Sequence, residues 1–291
     1  MVSSRSLLSP VIRDEILSVR PREAYRETTI PDALDCVVDY AADKQDRITE
    51  SVQFNLVQRL SGLRDHAFLA ELLRDVEGWL RLFYFGMLYR VTAHVDDIAA
   101  AFNESTLLRV PNTTRALLEL FFVLYTTYRQ VYQLKKESRG STDVEKAIRD
   151  EIAIKDLLLK QVRATRINWD NPFGGEWEQV KADCRQTNIL SMMDKLPDET
   201  RELARRWYGV LSDICHPNFG SILYVMDHDS VDLATGTLAL AQSPGKRAQL
   251  EMTVDLVSAP LAFACLQHVS FLSVLERLLG QYRDGVDRFT Q

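Results

Sequence analysis

The sequence predicts an all-α protein built as a bundle of long antiparallel helices. Three observations lead there. Glycine is scarce, 12 in 291 residues, and turn-forming clusters are few and far apart, which suits long helices better than many short strands. Apolar residues recur every three or four positions over long windows, as in Leu34, Val37, Val38, Ala41 and then Ile48, Val52, Leu56, Leu60. Hydrophobic content of 46% against 26% charged residues is globular, so the apolar faces of such helices can close over a core.

In chain order, residues 3–20 can form a short helix, with Ser9-Pro10 as a second start, and Pro21 and Pro31 bracket a polar linker. Helical spacing then runs from Pro31 to about Gly62. A second long pattern spans 66–103; its centre, WLRLFYFGMLYRV, is apolar almost all round, as in a helix surrounded by others. Pro111-Asn112 reads as a break before a helix over 113–138, closed by Gly140, with Lys135, Lys136 and Arg139 suited to the negative helix end. Thr142-Asp143-Val144-Glu145 fits a capping box opening a helix to about 167. NWDNPFGG (168–175) is a loop, and helices follow over 176–195 and from Pro197-Asp198 to His216-Pro217. The texture then changes: SILYVMD and VDLATGTLALAQ, with turn signals at Asp229-Ser230 and Thr235-Gly236, suggest a small β-hairpin or irregular flap after His216. A final helix over about 248–283 contains Pro260, which predicts a kink or break near 259. We divide the chain into a helical N-terminal region, 1–105, and a helical bundle, 110–288, with no flexible linker between them.

The net charge of −6 argues against a generic duplex-coating protein, which would be basic. Cys36, Cys184, Cys215 and Cys265 are widely spaced with no CxxC, the usage of packed, reduced thiols. The N-terminus lacks the uninterrupted apolar core of a signal peptide, and the most apolar run, LLELFFVLY (117–125), is shorter than the roughly 20 residues a span needs. A cytoplasmic protein without a membrane partner is expected.

The candidate site rests on two helices. Arg115 and Glu119, four apart, share one face of an otherwise apolar helix. Arg before Glu is the weaker order for an intrahelical pair, worth about 0.3–0.5 kcal/mol, so helix stabilisation explains little of it. Such a pair either sits at the edge of the buried face or serves a site. Tyr208, Ser212 and His216, also four apart, line one stripe of a later helix. Pro217 disfavours a helical residue before it, so the helix ends near His216 and places the imidazole at the negative end of the dipole. That favours the charged form and suits an acid/base group or an anion-binding cation; a histidine that merely caps the last carbonyls is the alternative. Ser212 could orient the ring, Arg205 lies on the same helix, and Asn218 reads as a turn residue beside the site. No metal site is expected: neither Cys265-x2-His268 nor His94 with Asp97 reaches three convergent ligands. No P-loop or GxGxxG is present, and no cofactor is expected. The basic groups Lys135/Lys136/Arg139, Lys160/Arg163/Arg166 and Arg201/Arg205/Arg206 could line one face, although most such groups are solvated surface.

The pairing of R-x3-E (Arg115, Glu119) with Y-x3-S-x3-H-P (Tyr208, Ser212, His216, Pro217) resembles an uncharacterised bacterial helical family with R-x3-E and L-S-x3-H-P motifs. In outline it is similar to the HEPN class of helical domains, several of which are metal-independent ribonucleases in defence and toxin systems. The resemblance covers roughly 110–285. It departs from HEPN in lacking R-x4–6-H: the nearest arginines before His216 are Arg206 and Arg205, and eleven residues of helix span about 16 Å. A HEPN-like nuclease would therefore need Arg115, from another helix or another subunit, to stabilise charge on the phosphate while His216 moves protons and Glu119 holds Arg115. Three functions follow as expectations. In the first, the Arg115–Glu119–His216 cluster anchors a ligand or partner, or is structural; in the alternative, the protein is a HEPN-like ribonuclease or another nucleic-acid-acting defence protein; in the third, it is some other enzyme that uses His216. Candidate partners are a small ligand, a protein, RNA, and a second copy of the chain.

Overall fold

The computed structural model describes residues 6–42, 44, 66–138, 143–163, 188–216, 231–232, 234–235, 237–238 and 246–290. Among these are eight helices: α1 (Pro10–Leu17), α2 (Ile30–Ala42), α3 (His66–Asn103), α4 (Arg109–Ser138), α5 (Val144–Arg163), α6 (Ile189–Met193), α7 (Asp198–Cys215) and α8 (Lys246–Thr290). The all-α expectation holds at this level. The β content described is one antiparallel pair, β1 (Val231–Asp232) with β2 (Thr237–Leu238), and the rest of the expected flap lies outside the described residues.

Local chemistry explains the starts. Ser9 caps α1, its hydroxyl accepting from Ile12 N at 3.4 Å, and Pro10 occupies the first turn, where its missing N–H costs nothing. At α5, Asp143 Oδ1 accepts from Lys146 N at 3.2 Å, while Thr142 of the expected capping box lies outside the described residues. The start of α4 is likewise earlier than expected. Pro111 and Asn112 do not break the helix; they lie inside its first turns. Pro111 is near enough to the end to need no intrahelical donor. Asn112 Nδ2 donates to the Leu108 carbonyl at 3.2 Å, while Asp97 of α3 pairs with Arg109 and accepts from Thr113 Oγ1 at 2.7 Å. Of the kink or break expected near 259, the break is absent: α8 runs as one helix through Pro260. Residue 43, residues 45–65 and residues 164–187 lie outside the described residues, so the continuation of α2 to Gly62, the 168–175 loop and most of the 176–195 helix are not described; α6, capped by Asn188, is the described remnant of the last.

The chain forms two compact units that interleave in sequence: residues 1–45, 89–121 and 197–269 in the first, and 46–88, 122–196 and 270–291 in the second. Helices α3, α4 and α8 each contribute to both. The core of the first unit includes Leu34, Ile98, Phe102, Leu117, Leu211 and Leu261, all buried. An aromatic cluster lies with it: Phe263 meets Tyr25 at 5.2 Å, Trp207 at 5.3 Å and Phe121 at 5.0 Å between centroids. The core of the second includes Leu72, Leu80, Phe122, Ile154, Leu158 and Leu275. Buried Glu151 is satisfied there by Lys135 and by Tyr282, whose hydroxyl donates at 2.7 Å.

The stretch Lys246–Gly285 of α8 is long and apolar enough to cross a membrane, and most of it is buried inside the protein. It exceeds the 117–125 run singled out from the sequence. Its charged residues are spaced widely enough to leave an apolar window between them, whereas a search for unbroken apolar letters passes over it.

Candidate functional site

Three of the predicted site residues meet in the first unit. Arg115 projects from the second turn of α4 and Glu119 from the next turn on the same face; Tyr208 faces them from α7. The Arg115 Nε–H donates to Glu119 Oε1 at 3.2 Å, and Nη2–H donates to the Tyr208 hydroxyl at 3.0 Å. The Tyr208 O–H in turn donates to Glu119 Oε1 at 3.0 Å. These bonds form a closed triangle in which every side chain engages the other two. The guanidinium carbon also lies 4.9 Å from the Tyr208 ring centroid, within cation–π range.

The electrostatics follow from that geometry. Partial burial works against the charge on Arg115, but the hydrogen bond to Tyr208 and the attraction of Glu119 outweigh it and keep the group a cation. Burial pushes the Tyr208 hydroxyl up; the Arg115 bond pulls it down, and the Glu119 charge pushes it up again. Tyr208 therefore stays a neutral donor to Glu119. The Arg115 side chain is 23% exposed and that of Glu119 33%, so the cluster lies at the edge of the core, open to solvent on one side.

A fourth member escaped the sequence reading. Cys215 lies within the electrostatic reach of Arg115: burial pushes its thiol up and Arg115 pulls the other way. Its signal was present: Cys215 is seven residues after Tyr208, two turns along the same face. Counting strictly by fours from Tyr208 led to Ser212 and His216 and passed over it.

The remaining predicted residues differ in burial and partners. Ser212 Oγ is buried with no hydrogen-bond partner among the described residues. His216 is the C-cap of α7, in extended conformation (φ −90°, ψ 148°), with its backbone N–H on the Ser212 carbonyl at 3.1 Å. Its side chain is exposed, directly after the cysteine that reaches Arg115. The stop before Pro217 thus occurs where the pre-proline restriction places it. Arg205 is exposed on α7, and Asn218 lies outside the described residues. Among the described residues no cluster of three or more His, Cys, Asp or Glu could hold a metal ion. Comparison of this chain with known protein families, with characterised proteins and with solved structures found no match.

Proposed function

We propose that the chain is a helical binding protein of the cytoplasm, whose Arg115–Glu119–Tyr208 cluster, with His216 at its margin, anchors an acidic group of a ligand or partner. The observation that carries this reading is the closed triangle itself. A guanidinium fixed by a carboxylate, a hydroxyl and a ring face is preorganised, and its solvent-facing edge can bind a phosphate or carboxylate without first losing side-chain freedom. The free thiols at Cys36, Cys215 and Cys265 suit a reducing compartment.

Inorganic phosphate is the probe. Phosphate is expected to raise the melting temperature of the full chain by mass action, and to do so much less for Arg115→Gln. An equal rise in both proteins would sink the reading.

One observation favours the HEPN-like ribonuclease as a second reading. The exposed His216 follows immediately on Cys215, whose thiol feels the Arg115 charge, so a phosphate held by Arg115 would lie near a group able to move protons. RNA incubated with the full chain in the presence of a chelator distinguishes the two. The binding reading expects intact RNA. The nuclease reading expects cleavage that His216→Ala abolishes while the protein stays folded.

A further inference from the structure

In the second unit a groove opens between the C-terminal halves of α4 and α8. Val274 and Leu278 line its apolar part, and Tyr128 and Tyr132, one turn apart on α4, line the rest. The two rings lie 5.9 Å apart at 35°, and Phe271 supports Tyr128 from behind at 5.3 Å. Tyr132 is 49% exposed, so an aromatic face of this small stack is presented to solvent.

The charged lining is all of one sign. Lys135, Lys136 and Arg277 border the groove, and among the described residues no carboxylate does. Lys135 is already committed to Glu151 and lies 4.1 Å from the Tyr282 ring centroid. Lys136 and Arg277 are exposed and make no ion pair with any described residue. The Arg277 charge reaches the ring stack: burial pushes the Tyr128 hydroxyl up, Tyr132 adds to this, and Arg277 acts against it. The cavity measures about 170 Å³. That is below the roughly 300–1,000 Å³ of sites that enclose whole drug-sized ligands, so one flat ring fits inside while the rest of the ligand stays at the rim.

We propose that this groove binds a nucleotide, its base against the Tyr128–Tyr132 stack and its phosphate between Lys136 and Arg277. The aromatic faces supply stacking, which tolerates any base and is worth about 1–3 kcal/mol in single-strand binders, and the two unpaired cations supply phosphate recognition. A carboxylate on a flexible aliphatic chain would use the cations but leave the rings idle. A neutral aromatic would do the reverse. The same chemistry is offered by a free nucleotide and by the phosphorylated end of a single-stranded RNA. The site lies in the other unit from Arg115 and does not depend on the reading of that cluster.

Calorimetric titration of the full-length Arg115→Gln chain, which lacks the phosphate site proposed at Arg115, with AMP, adenosine, inorganic phosphate and a 5′-phosphorylated oligoadenylate tests the proposal. AMP or the oligonucleotide is expected to bind this chain one to one, at least tenfold more tightly than adenosine or phosphate. Adding Arg277→Ala, Lys136→Ala or Tyr132→Ala should each weaken that binding by about tenfold at an unchanged melting temperature, because all three side chains are exposed. Equal affinity for AMP and the oligonucleotide identifies a free nucleotide as the ligand, and a tenfold preference for the oligonucleotide identifies an RNA end. The proposal is overturned if neither binds at millimolar concentration, if phosphate alone binds as tightly as AMP, or if the added substitutions leave the binding unchanged.

Discussion

Glu119 is the residue on which the candidate site turns, because it accepts from both Arg115 and Tyr208 through one oxygen. Removing it leaves a partly buried guanidinium and a hydroxyl without their acceptor. Glu119→Ala should therefore cost about 1 kcal/mol, toward the low end of the 1–3 kcal/mol range because the carboxylate is a third exposed, and a urea titration would read it. Tyr208→Phe separates hydrogen bonding from ring stacking. It keeps the face against Arg115 and loses both hydroxyl bonds, so a loss of about 0.5–1.5 kcal/mol is expected. A variant indistinguishable from wild type would mean that water replaces the hydroxyl at no cost. His216→Ala should change stability by less than about 0.5 kcal/mol, since the ring is exposed, and so any functional loss in that variant is a loss of chemistry and not of fold. At this scale the sequence singled out Arg115, Glu119 and Tyr208, and the fold brings the three side chains together. It could not show that Tyr208 bridges the other two, because 93 positions separate it from Arg115.

Helix α7 shows what a single element contributes. It buries Ala204, Trp207, Leu211 and Ile214 and turns Tyr208 and Cys215 toward α4. Gly209 interrupts it on the exposed side, where an added Cβ would meet nothing within 4 Å. With open space and helical backbone, Gly209→Ala should stabilise the protein by about 0.4–1 kcal/mol through a less flexible unfolded chain. A fall in melting temperature would imply that this face of α7 is covered by something in solution. Boundaries were the least legible feature of the elements. α4 starts at Arg109 because Asp97 of α3 holds Arg109 and Thr113, a tertiary cause that no local pattern encodes. A proline in the interior of an isolated helix costs about 3 kcal/mol. Inside α8, buried Ala259, Pro260 and Leu261 are held by packing, which outweighs the lost hydrogen bond.

At the scale of the molecule, the clearest consequence is a dependence of stability on pH. His268 is buried, its Nδ1–H donating to the Ala264 carbonyl at 2.6 Å and its Nε2 without a partner among the described residues. Burial lowers its pKa from 6.5 to about 4; the Ala264 bond opposes this, and nearby His94 adds to it. The folded state thus resists a proton that the unfolded state accepts. The stability that the neutral ring contributes is complete above about pH 6.5 and is lost as pH falls from there toward 4. At about 1.4 kcal/mol per pKa unit the loss is on the order of 3 kcal/mol. Urea midpoints from pH 7 to pH 4 should follow that fall, and His268→Leu should flatten it. A slope unchanged by that substitution would assign the effect to His94, whose pKa is also lowered, first by burial, or to the carboxylates.

What the sequence determined by itself is the helical class, because it is local: apolar residues at helical spacing and few glycines favour long helices. It also placed the end of α7 before Pro217, since the pre-proline restriction acts on the neighbouring residue alone. Only tertiary structure decided which faces meet. Arg115 could be read as half of a weak intrahelical pair, whereas it also donates to a tyrosine from α7 and lies over its ring. The basic run at Lys135-Lys136 likewise read as solvated surface. It became one wall of a groove only when α8 brought Arg277, Val274 and Leu278 alongside the two tyrosines. Side-chain pairs across helices depend on how ridges settle into grooves, and that packing is a property of the assembled core rather than of any one segment.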